Sequence, residues 1–215
     1  MRTPPSPAAI QHFYEWLGRK HDWAEVYESR AKKRALALLD IQPGMRVLNV
    51  GVGTGKDHRR LVQAVAPGGI AVGVDIAATM LRLTQRRTGA PVVQADARAL
   101  PFPDNTFDRL FCAYMFDLLP LPDLRPTLLE CVRVVRPGGR LVLVSLGEGV
   151  TRTSQFVMRL WKGLYQLAPL ACGGCRPIPL AHIATTLPAV RVQHETIVQW
   201  GVPNEMVVID IESDE

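Results

Sequence analysis

The chain has 215 residues, 47% of them hydrophobic, which is enough to build one domain with a sizeable core. No apolar stretch approaches the roughly 20 residues that a membrane-spanning helix needs. The formal net charge of +5 favours anionic partners, but no signature of a nucleic-acid-binding module is present, so no nucleic-acid partner is expected. Four cysteines without a signal peptide predict a cytoplasmic protein with no disulfide framework.

Two helices are predicted before the first strand, over residues 8–19 and 23–39. Their apolar positions recur at helical spacing, and most of them are aromatic. Such stripes usually pack into a core, here against an edge of the sheet. The apolar positions are Phe13, Trp16, Leu17, Trp23, Val26 and Tyr27.

Residues 46–55 form a short apolar run that stops at three glycines spaced two apart, Gly51, Gly53 and Gly55. A helix-compatible segment, 56–66, follows at once. This pattern is typical of a buried strand, a tight turn and a helix N-terminus. Glycine lets a ligand approach the backbone closely, and the first helical N–H groups can bind an anionic group of that ligand. The spacing differs from the dinucleotide fingerprint G-x-G-x-x-G.

A second apolar run, Ile70–Asp75, ends in a carboxylate 24 residues after Gly51. An acid at about this distance from a glycine turn often accepts hydrogen bonds from ribose hydroxyls. Because ribose occurs in several cofactors, Asp75 indicates a nucleoside without identifying it. The alternative is that Asp75 caps the following helix.

Strands continue to alternate with helical segments along the rest of the chain. A third strand begins at Val92, and a fourth spans 109–113, while 130–145 is a helix, a Pro-Gly-Gly stop and a fifth strand. Val190–Gln199 and 205–211 are predicted to be an antiparallel pair at the sheet edge. The pattern predicts an α/β fold with a Rossmann-like, seven-stranded, mostly parallel sheet, helices on both faces and an antiparallel last strand.

An apolar insertion separates the fifth strand from that pair of strands. Residues 153–171 are predicted to form one helix buried against the domain, with a lid over an apolar acceptor and a membrane-surface helix as alternatives. Cys172 and Cys175 form a single C-x-x-C pair, which is a weak metal or redox signal, so no metal is expected. A further helix is predicted over 178–187.

Several segments, in the expected order, resemble the motifs of class I S-adenosylmethionine (SAM)-dependent methyltransferases: 49–55, 70–81, 92–108 and the Arg-Pro-Gly-Gly-Arg-Leu run at 136–141. The resemblance covers roughly 27–146. It is strongest to the methyltransferase type 11 group, which includes ubiquinone/menaquinone-biosynthesis C-methyltransferases and phospholipid N-methyltransferases. It implies one SAM-binding domain over 1–215, with a helical cap at 8–39 and a helical insertion at 150–175. The family usually has an acid where this chain has Asn49, a neutral amide.

The resemblance also implies which residues contact SAM. The glycine turn would carry the methionine end, Asp75 would bind the ribose, and Asp96 would accept a hydrogen bond from the adenine amino group. The implied cofactor-binding residues are Tyr27, Asn49, Gly51, Gly53, Gly55, Asp75, Ile76, Met80, Asp96, Ala97 and Ala113. The end of the fourth strand would lie beside the methyl acceptor, so Tyr114 and Asp117 are candidate catalytic residues, although no residue marks a base.

The leading hypothesis is a SAM-dependent methyltransferase that acts on a small or lipid-like acceptor, such as a quinone precursor or a phospholipid amine. A second hypothesis, permitted by Asn49 and the lack of an obvious base, is a degenerate partner protein that binds SAM or S-adenosylhomocysteine (SAH) without turnover. A third, a nicotinamide oxidoreductase, is disfavoured by the glycine spacing and the Asp96 loop. Peripheral membrane contact and oligomeric state stay open.

Overall fold

A computed structural model describes residues 4–18 and 25–213. Its centre is a seven-stranded sheet with the strand order β3-β2-β1-β4-β5-β7-β6. The strands are β1 (Arg46–Val50), β2 (Ile70–Asp75), β3 (Val92–Gln94), β4 (Phe107–Ala113), β5 (Val135–Leu146), β6 (Val190–Gln199) and β7 (Val202–Ile211). The helices are α1 (Pro7–Leu17), α2 (Glu25–Leu38), α3 (Lys56–Val65), α4 (Ala78–Thr88), α5 (Leu121–Arg133), α6 (Arg152–Leu167) and α7 (Leu180–Ala184), with 3₁₀ turns at Phe116–Leu118 and Pro169–Cys172.

The strand directions confirm the predicted fold class. β1 to β5 run parallel, and β7 lies antiparallel between β5 and β6. β6 and β7 are joined by Trp200 and Gly201, both with positive φ, as in the two-residue turns that suit the twist of a hairpin. A parallel pair would have needed a long crossover, so the short connection explains why these two strands are antiparallel.

The insertion differs from its predicted extent. α6 ends at Leu167, and residues Pro169–Cys172 form a separate 3₁₀ turn. The cause is Pro169, which disfavours the helical conformation at Ala168 and cannot donate a backbone hydrogen bond. Within residues 4–18 and 25–213, no helix combines the length and the apolar character that crossing a bilayer requires.

Other predicted boundaries also shift. The helix after the insertion is only Leu180–Ala184, and the last strand starts earlier than predicted, at Val202. α1 ends at Leu17 because Gly18 adopts a positive φ. The ends of the predicted N-terminal helices at Arg19 and Trp23 lie outside the described residues.

The sheet is covered on both faces because alternate residues of each strand point to opposite sides. Leu110 and Leu141 belong to the core under α5 and α7, whereas the next residues, Phe111 and Val142, belong to the core under α2 and α3. All four are at most 1% exposed. Full burial of such side chains contributes about 1.5–3 kcal/mol each. The two cores therefore fix the carboxyl ends of the parallel strands at one edge.

The strand order reverses between β1 and β4. The chain leaves β1 toward β2 on one side and returns through β4 on the other. The loops that follow β1 and β4 therefore diverge at the carboxyl edge of the sheet. Such a divergence leaves a crevice, and in α/β sheets ligands bind there.

Candidate cofactor and acceptor site

The turn after β1 is built by three glycines with positive φ angles. Gly51, Gly53 and Gly55 have φ of 70°, 57° and 82°, a region that other residues rarely adopt. A Cβ atom on Gly51 would lie 2.8 Å from the Met115 Cβ, and one on Gly55 would lie 2.8 Å from the Thr84 Cα. The turn is therefore packed tightly and presents its backbone to the crevice.

Asp75, the last residue of β2, is fixed by two backbone N–H groups. Gly53 N donates to its Oδ2 at 2.9 Å, and Ala77 N donates to its Oδ1 at 3.0 Å. Asp75 does not occupy the N-cap of α4, which is Ala77. Burial raises the pKa of the Asp75 carboxyl to about 6, although both hydrogen bonds favour the ionised form. The side chain is thus tied to the glycine turn, as a ribose-binding acid would be.

Glu15 of α1 caps α4 instead, a contact that the sequence analysis missed. Its Oε1 accepts a hydrogen bond from Ala78 N at 2.6 Å, and its Oε2 accepts from Thr79 N at 3.0 Å and from the Thr79 hydroxyl. These hydrogen bonds lower the pKa of the Glu15 carboxyl, and the bond from the Thr79 hydroxyl has the largest effect. A carboxylate is favourable there because the first helical N–H groups have no partners within the helix.

A cavity of about 480 Å³ lies at the carboxyl edge of the sheet, within the usual size of small-molecule sites. α1 covers it with Ile10, Phe13 and Tyr14. The predicted residues that line it are Asn49, Gly51, Gly53, Gly55, Asp75, Ile76, Asp96, Ala97, Ala113 and Tyr114. The structure therefore brings together, on one wall, side chains from four separate strand ends.

Two predicted site residues whose side chains are described, Met80 and Asp117, do not line the cavity. Met80 is 1% exposed and packs into the interior, because it lies one helical turn beyond Ile76 on the inner face of α4. Asp117 is fully buried. The predicted ligand contacts of these two residues therefore stay predictions without support from this wall. Tyr27 lies in α2, but its side chain is outside the described residues, so its contact with SAM stays a prediction.

Asp117 supports the loop that follows β4. Its Oδ2 accepts a hydrogen bond from Leu146 N at 2.9 Å, and its backbone carbonyl accepts one from Arg176 Nη1 at 3.0 Å. Arg176 Nη2 also donates to the Leu119 carbonyl at 2.7 Å. Burial raises the pKa of Asp117 well above its usual range, which favours the neutral form. The buried Asp117 carboxyl thus holds the loop that follows β4.

Tyr114, at the end of β4, combines a strained backbone with an engaged hydroxyl. Its φ is 59°, and such strain costs of order 1–3 kcal/mol and is concentrated at functional sites. The hydroxyl donates to Asn204 Oδ1 at 2.7 Å, and Lys32 Nζ lies 5.5 Å from the ring centroid. The ring forms part of the cavity wall. The hydroxyl is thus already engaged by Asn204, and the role of Tyr114 toward an acceptor stays a prediction.

Asp96 is held ionised on the cavity wall by an arginine that the sequence analysis did not single out. Arg98 Nη2 donates to Asp96 Oδ2 at 2.7 Å, and Arg98 Nη1 donates to Asp123 Oδ2 at 3.0 Å. The hydrogen bond from Arg98 lowers the pKa of the Asp96 carboxyl. The result is a rigid hydrogen-bond acceptor at the end of β3, suited to an exocyclic amino group.

The two cysteines of the C-x-x-C pair lie on the wall at opposite corners of a turn. Cys175 N donates to the Cys172 carbonyl at 3.0 Å, and the Tyr14 hydroxyl donates to the Gly173 carbonyl at 3.0 Å, which attaches the turn to α1. Burial raises the pKa of both thiols, so both stay neutral. Among the described residues, no three His, Cys, Asp or Glu side chains are grouped to hold a metal ion.

Comparison with known proteins identifies relatives of this site and fold. Residues 48–143 match the family described as Methyltransferase domain. Curated relatives include the demethylmenaquinone methyltransferases of Corynebacterium urealyticum, 32% identical over 149 residues, and of Shouchella clausii, 33% identical over 151 residues. The alignments cover 67% and 65% of this chain and 62% and 60% of the relatives. The chain thus spans about three fifths of the length of these relatives.

Solved structures share the fold at lower sequence identity. A SAM-dependent methyltransferase from Thermotoga maritima is 18% identical with a TM-score of 0.70, over 95% of this chain and 100% of that chain. Another, from Methanosarcina mazei, is 18% identical with a TM-score of 0.64, over 81% of this chain and 95% of that chain. Taken with the glycine turn and the sheet, these matches show that residues 48–143 resemble a methyltransferase domain and that the chain has the fold of SAM-dependent methyltransferases of known structure, which points to SAM as the cofactor.

Proposed function

We propose that the protein transfers the methyl group of SAM to a small, apolar acceptor of the quinone-precursor type. The observation that carries this proposal is a cavity with two kinds of wall. One wall holds the glycine turn with Asp75 and Asp96, which suit a nucleoside. The other is apolar, with Phe13, Leu118 and Leu170, and suits a ring or a lipid tail. The names of the demethylmenaquinone methyltransferase relatives support this acceptor class.

When bound, SAM supplies an electrophilic methyl group that a nucleophilic acceptor attacks in line with the sulfonium. The residues of the chain act mainly by positioning: Asp75 would accept hydrogen bonds from the ribose, and Asp96, held by Arg98, would accept one from adenine. α1 and the turn Pro169–Cys172 exclude water. Alignment of two reactants supplies ~7–11 kcal/mol in favourable cases. Attack by a ring carbon of the quinol breaks the bond between sulfur and the methyl group and leaves SAH. The ring carbon then loses its hydrogen as a proton to water, and no described side chain is assigned as the base.

α6 presents an exposed apolar stripe beside the cavity. Phe156, Leu160 and Leu164 recur on one helix face and are 61%, 60% and 46% exposed, while Trp161 of the same helix lies on the cavity wall. Arg159 is exposed, and the helix contains no acidic residue. Such a surface suits an anionic bilayer, from which a lipid-like acceptor would enter the cavity. The four free cysteines fit a location on its reducing, cytoplasmic side.

Incubation with methyl-labelled SAM and a demethylated naphthoquinol tests the transfer. We expect labelled quinol together with SAH. A degenerate partner protein, the alternative, would bind SAH but transfer no label to the naphthoquinol, to phosphatidylethanolamine or to small amines. Binding without transfer to any of these would contradict the proposed activity, whereas label in an amine alone would contradict only the acceptor class.

Flotation with lipid vesicles tests the membrane contact. The protein should float with phosphatidylglycerol vesicles more than with phosphatidylcholine vesicles, and Leu160→Glu should reduce that fraction severalfold. Gln155→Glu is the matched control, since it adds the same charge to α6 at an exposed position off the stripe. Equal flotation of both variants would contradict the membrane contact. The contact would also be contradicted if light scattering showed that the wild-type protein is a dimer and that Leu160→Glu, but not Gln155→Glu, dissociates it.

A further inference from the structure

The charged residues on the cavity wall, apart from Lys56 at the start of α3, form two groups. Asp75 and Asp96, with Arg98, lie at the ends of β2 and β3, where they suit the nucleoside. Glu28 and Lys32 of α2 also lie on the wall, on the side of the cavity where α2 meets the start of α3. The nucleoside does not need this second group, so its position on the wall calls for a different ligand group.

The second group belongs to a compact series of ion pairs, most of which is buried. Lys32 Nζ lies 2.6 Å from Glu28 Oε2 and 3.5 Å from Asp57 Oδ2, and Arg60 Nη1 lies 2.7 Å from Asp57 Oδ1. The side chains of Lys32, Glu28 and Asp57 are 8%, 7% and 12% exposed. Taking charges out of water is costly, so a buried ion pair contributes little to stability by itself.

The methionine end of SAM carries one ammonium and one carboxylate group, the charges that such a pair would bind. We propose that Glu28 accepts hydrogen bonds from the ammonium and that Lys32 donates to the carboxylate. The start of α3 adds to the carboxylate site, because its N-cap, Gly55, makes no side-chain bond to the first N–H groups. Asp57, itself paired with Arg60, holds Lys32 in place.

Asn49 explains why a carboxylate from α2 is needed. Asn49 is 2% exposed and lies on the same wall, but its amide carries no charge. In this chain Glu28 therefore supplies the negative charge for the ammonium group from a helix rather than from the end of β1. This assignment rests on SAM as the cofactor and holds whether or not a methyl group is transferred.

Calorimetric titration of SAH and of 5′-methylthioadenosine, which lacks the amino-acid part, tests the assignment. The wild-type protein should bind SAH at least about tenfold more tightly, since hydrogen bonds to charged groups are among the stronger ones. In Glu28→Gln and in Lys32→Met, the SAH affinity should fall about tenfold, while the methylthioadenosine affinity stays within about twofold. Arg60→Gln is the matched control, because Arg60 belongs to the same series of ion pairs but does not line the cavity.

Equal weakening of both ligands, or an SAH affinity that neither variant changes, would overturn the assignment, as would an Arg60→Gln loss as large as theirs. If the wild-type protein bound SAH and methylthioadenosine equally tightly, the assignment would be overturned. This comparison needs no variant, so it remains decisive even if a variant fails to fold. A wild-type protein that binds neither ligand would instead contradict SAM as the cofactor, and the assignment with it.

Discussion

Asp75 links the pH of the solution to cofactor affinity. Its pKa is raised to about 6 by burial, and in the proposed site ribose hydroxyls would donate to the ionised carboxylate. Lowering the pH from 7.5 to 5 protonates the carboxyl, so we expect the dissociation constant of SAH to rise about tenfold over that interval. Titration calorimetry at several pH values measures this change.

Asp75→Asn provides the control for that pH dependence. The variant cannot ionise at this position, so it should bind SAH more weakly than the wild type at pH 7.5 and lose the step near pH 6. An equal step in the variant would assign the pH dependence to another group, and a flat wild-type profile would contradict the role of Asp75.

His58 of α3 makes stability depend on pH in the acid range. It is fully buried, neither ring nitrogen has a hydrogen-bond partner among the described residues, and burial lowers its pKa to about 4. Between the unfolded pKa near 6.5 and about 4, the unfolded chain binds a proton that the folded chain does not. This group therefore destabilises the fold by about 2 kcal/mol as the pH falls from 7 to 5.

Urea denaturation at pH 7 and pH 5 measures this contribution. His58→Leu removes the titrating group, so its free energy of unfolding should fall by about 2 kcal/mol less than that of the wild type over the same interval. His12→Gln, at an exposed position, should behave like the wild type. Parallel profiles for His58→Leu and the wild type would contradict the prediction.

Sequence predicted those site residues whose placement is set by their neighbours in the chain. The three glycines and Asp75 follow directly from a strand and the turn that ends it. Asp117 does not line the cavity because the 3₁₀ turn Phe116–Leu118 directs its side chain inward, which no local pattern reveals. Glu15 and Lys32 contact residues that are distant in sequence. Their partners follow from the packing of α1 and α2 over the cavity, which no local pattern predicts.

At the scale of elements, α1 is a cover fastened at two points. Glu15 binds the start of α4, and the Tyr14 hydroxyl binds the Gly173 carbonyl on the far side of the cavity. Because Ile10 and Phe13 line the cavity, we expect that release of SAH requires α1 to move. Loss of a capping carboxylate costs about 1 kcal/mol, so Glu15→Ala should speed SAH dissociation about fivefold.

Stopped-flow dissociation of SAH measures that rate. His12→Ala, at an exposed site on the same helix, should leave the rate unchanged. If Glu15→Ala lowers the melting temperature but releases SAH at the wild-type rate, α1 is a structural element only and does not control release.

The length of elements was predicted less well than their order. The apolar pattern of 153–171 suggested one helix, but Pro169 divides it, and the turn that follows brings Leu170 and Cys172 to the cavity wall. The exposed stripe of α6 was not separable from a buried helix by sequence, because both are apolar. Exposure, which depends on the neighbouring elements, decides between them.

At the scale of the whole molecule, the strand directions could be predicted from the sequence. Alternating strands and helices indicate parallel strands, and the short last connection indicates an antiparallel pair. The sheet gathers the ends of β1, β2, β3 and β4 at one edge, and α1, α2 and α6 close the cavity around them. We therefore propose one place for each part of SAM. Adenine would lie at Asp96, ribose at Asp75, and the methionine end between Glu28 and Lys32.

A crystal structure with SAH bound tests this assignment most directly. We expect density for one SAH molecule in the cavity, with ribose hydroxyls within hydrogen-bond distance of Asp75 and the amino-acid end between Glu28 and Lys32. SAH in the reverse orientation, or bound outside this cavity, would contradict these assignments.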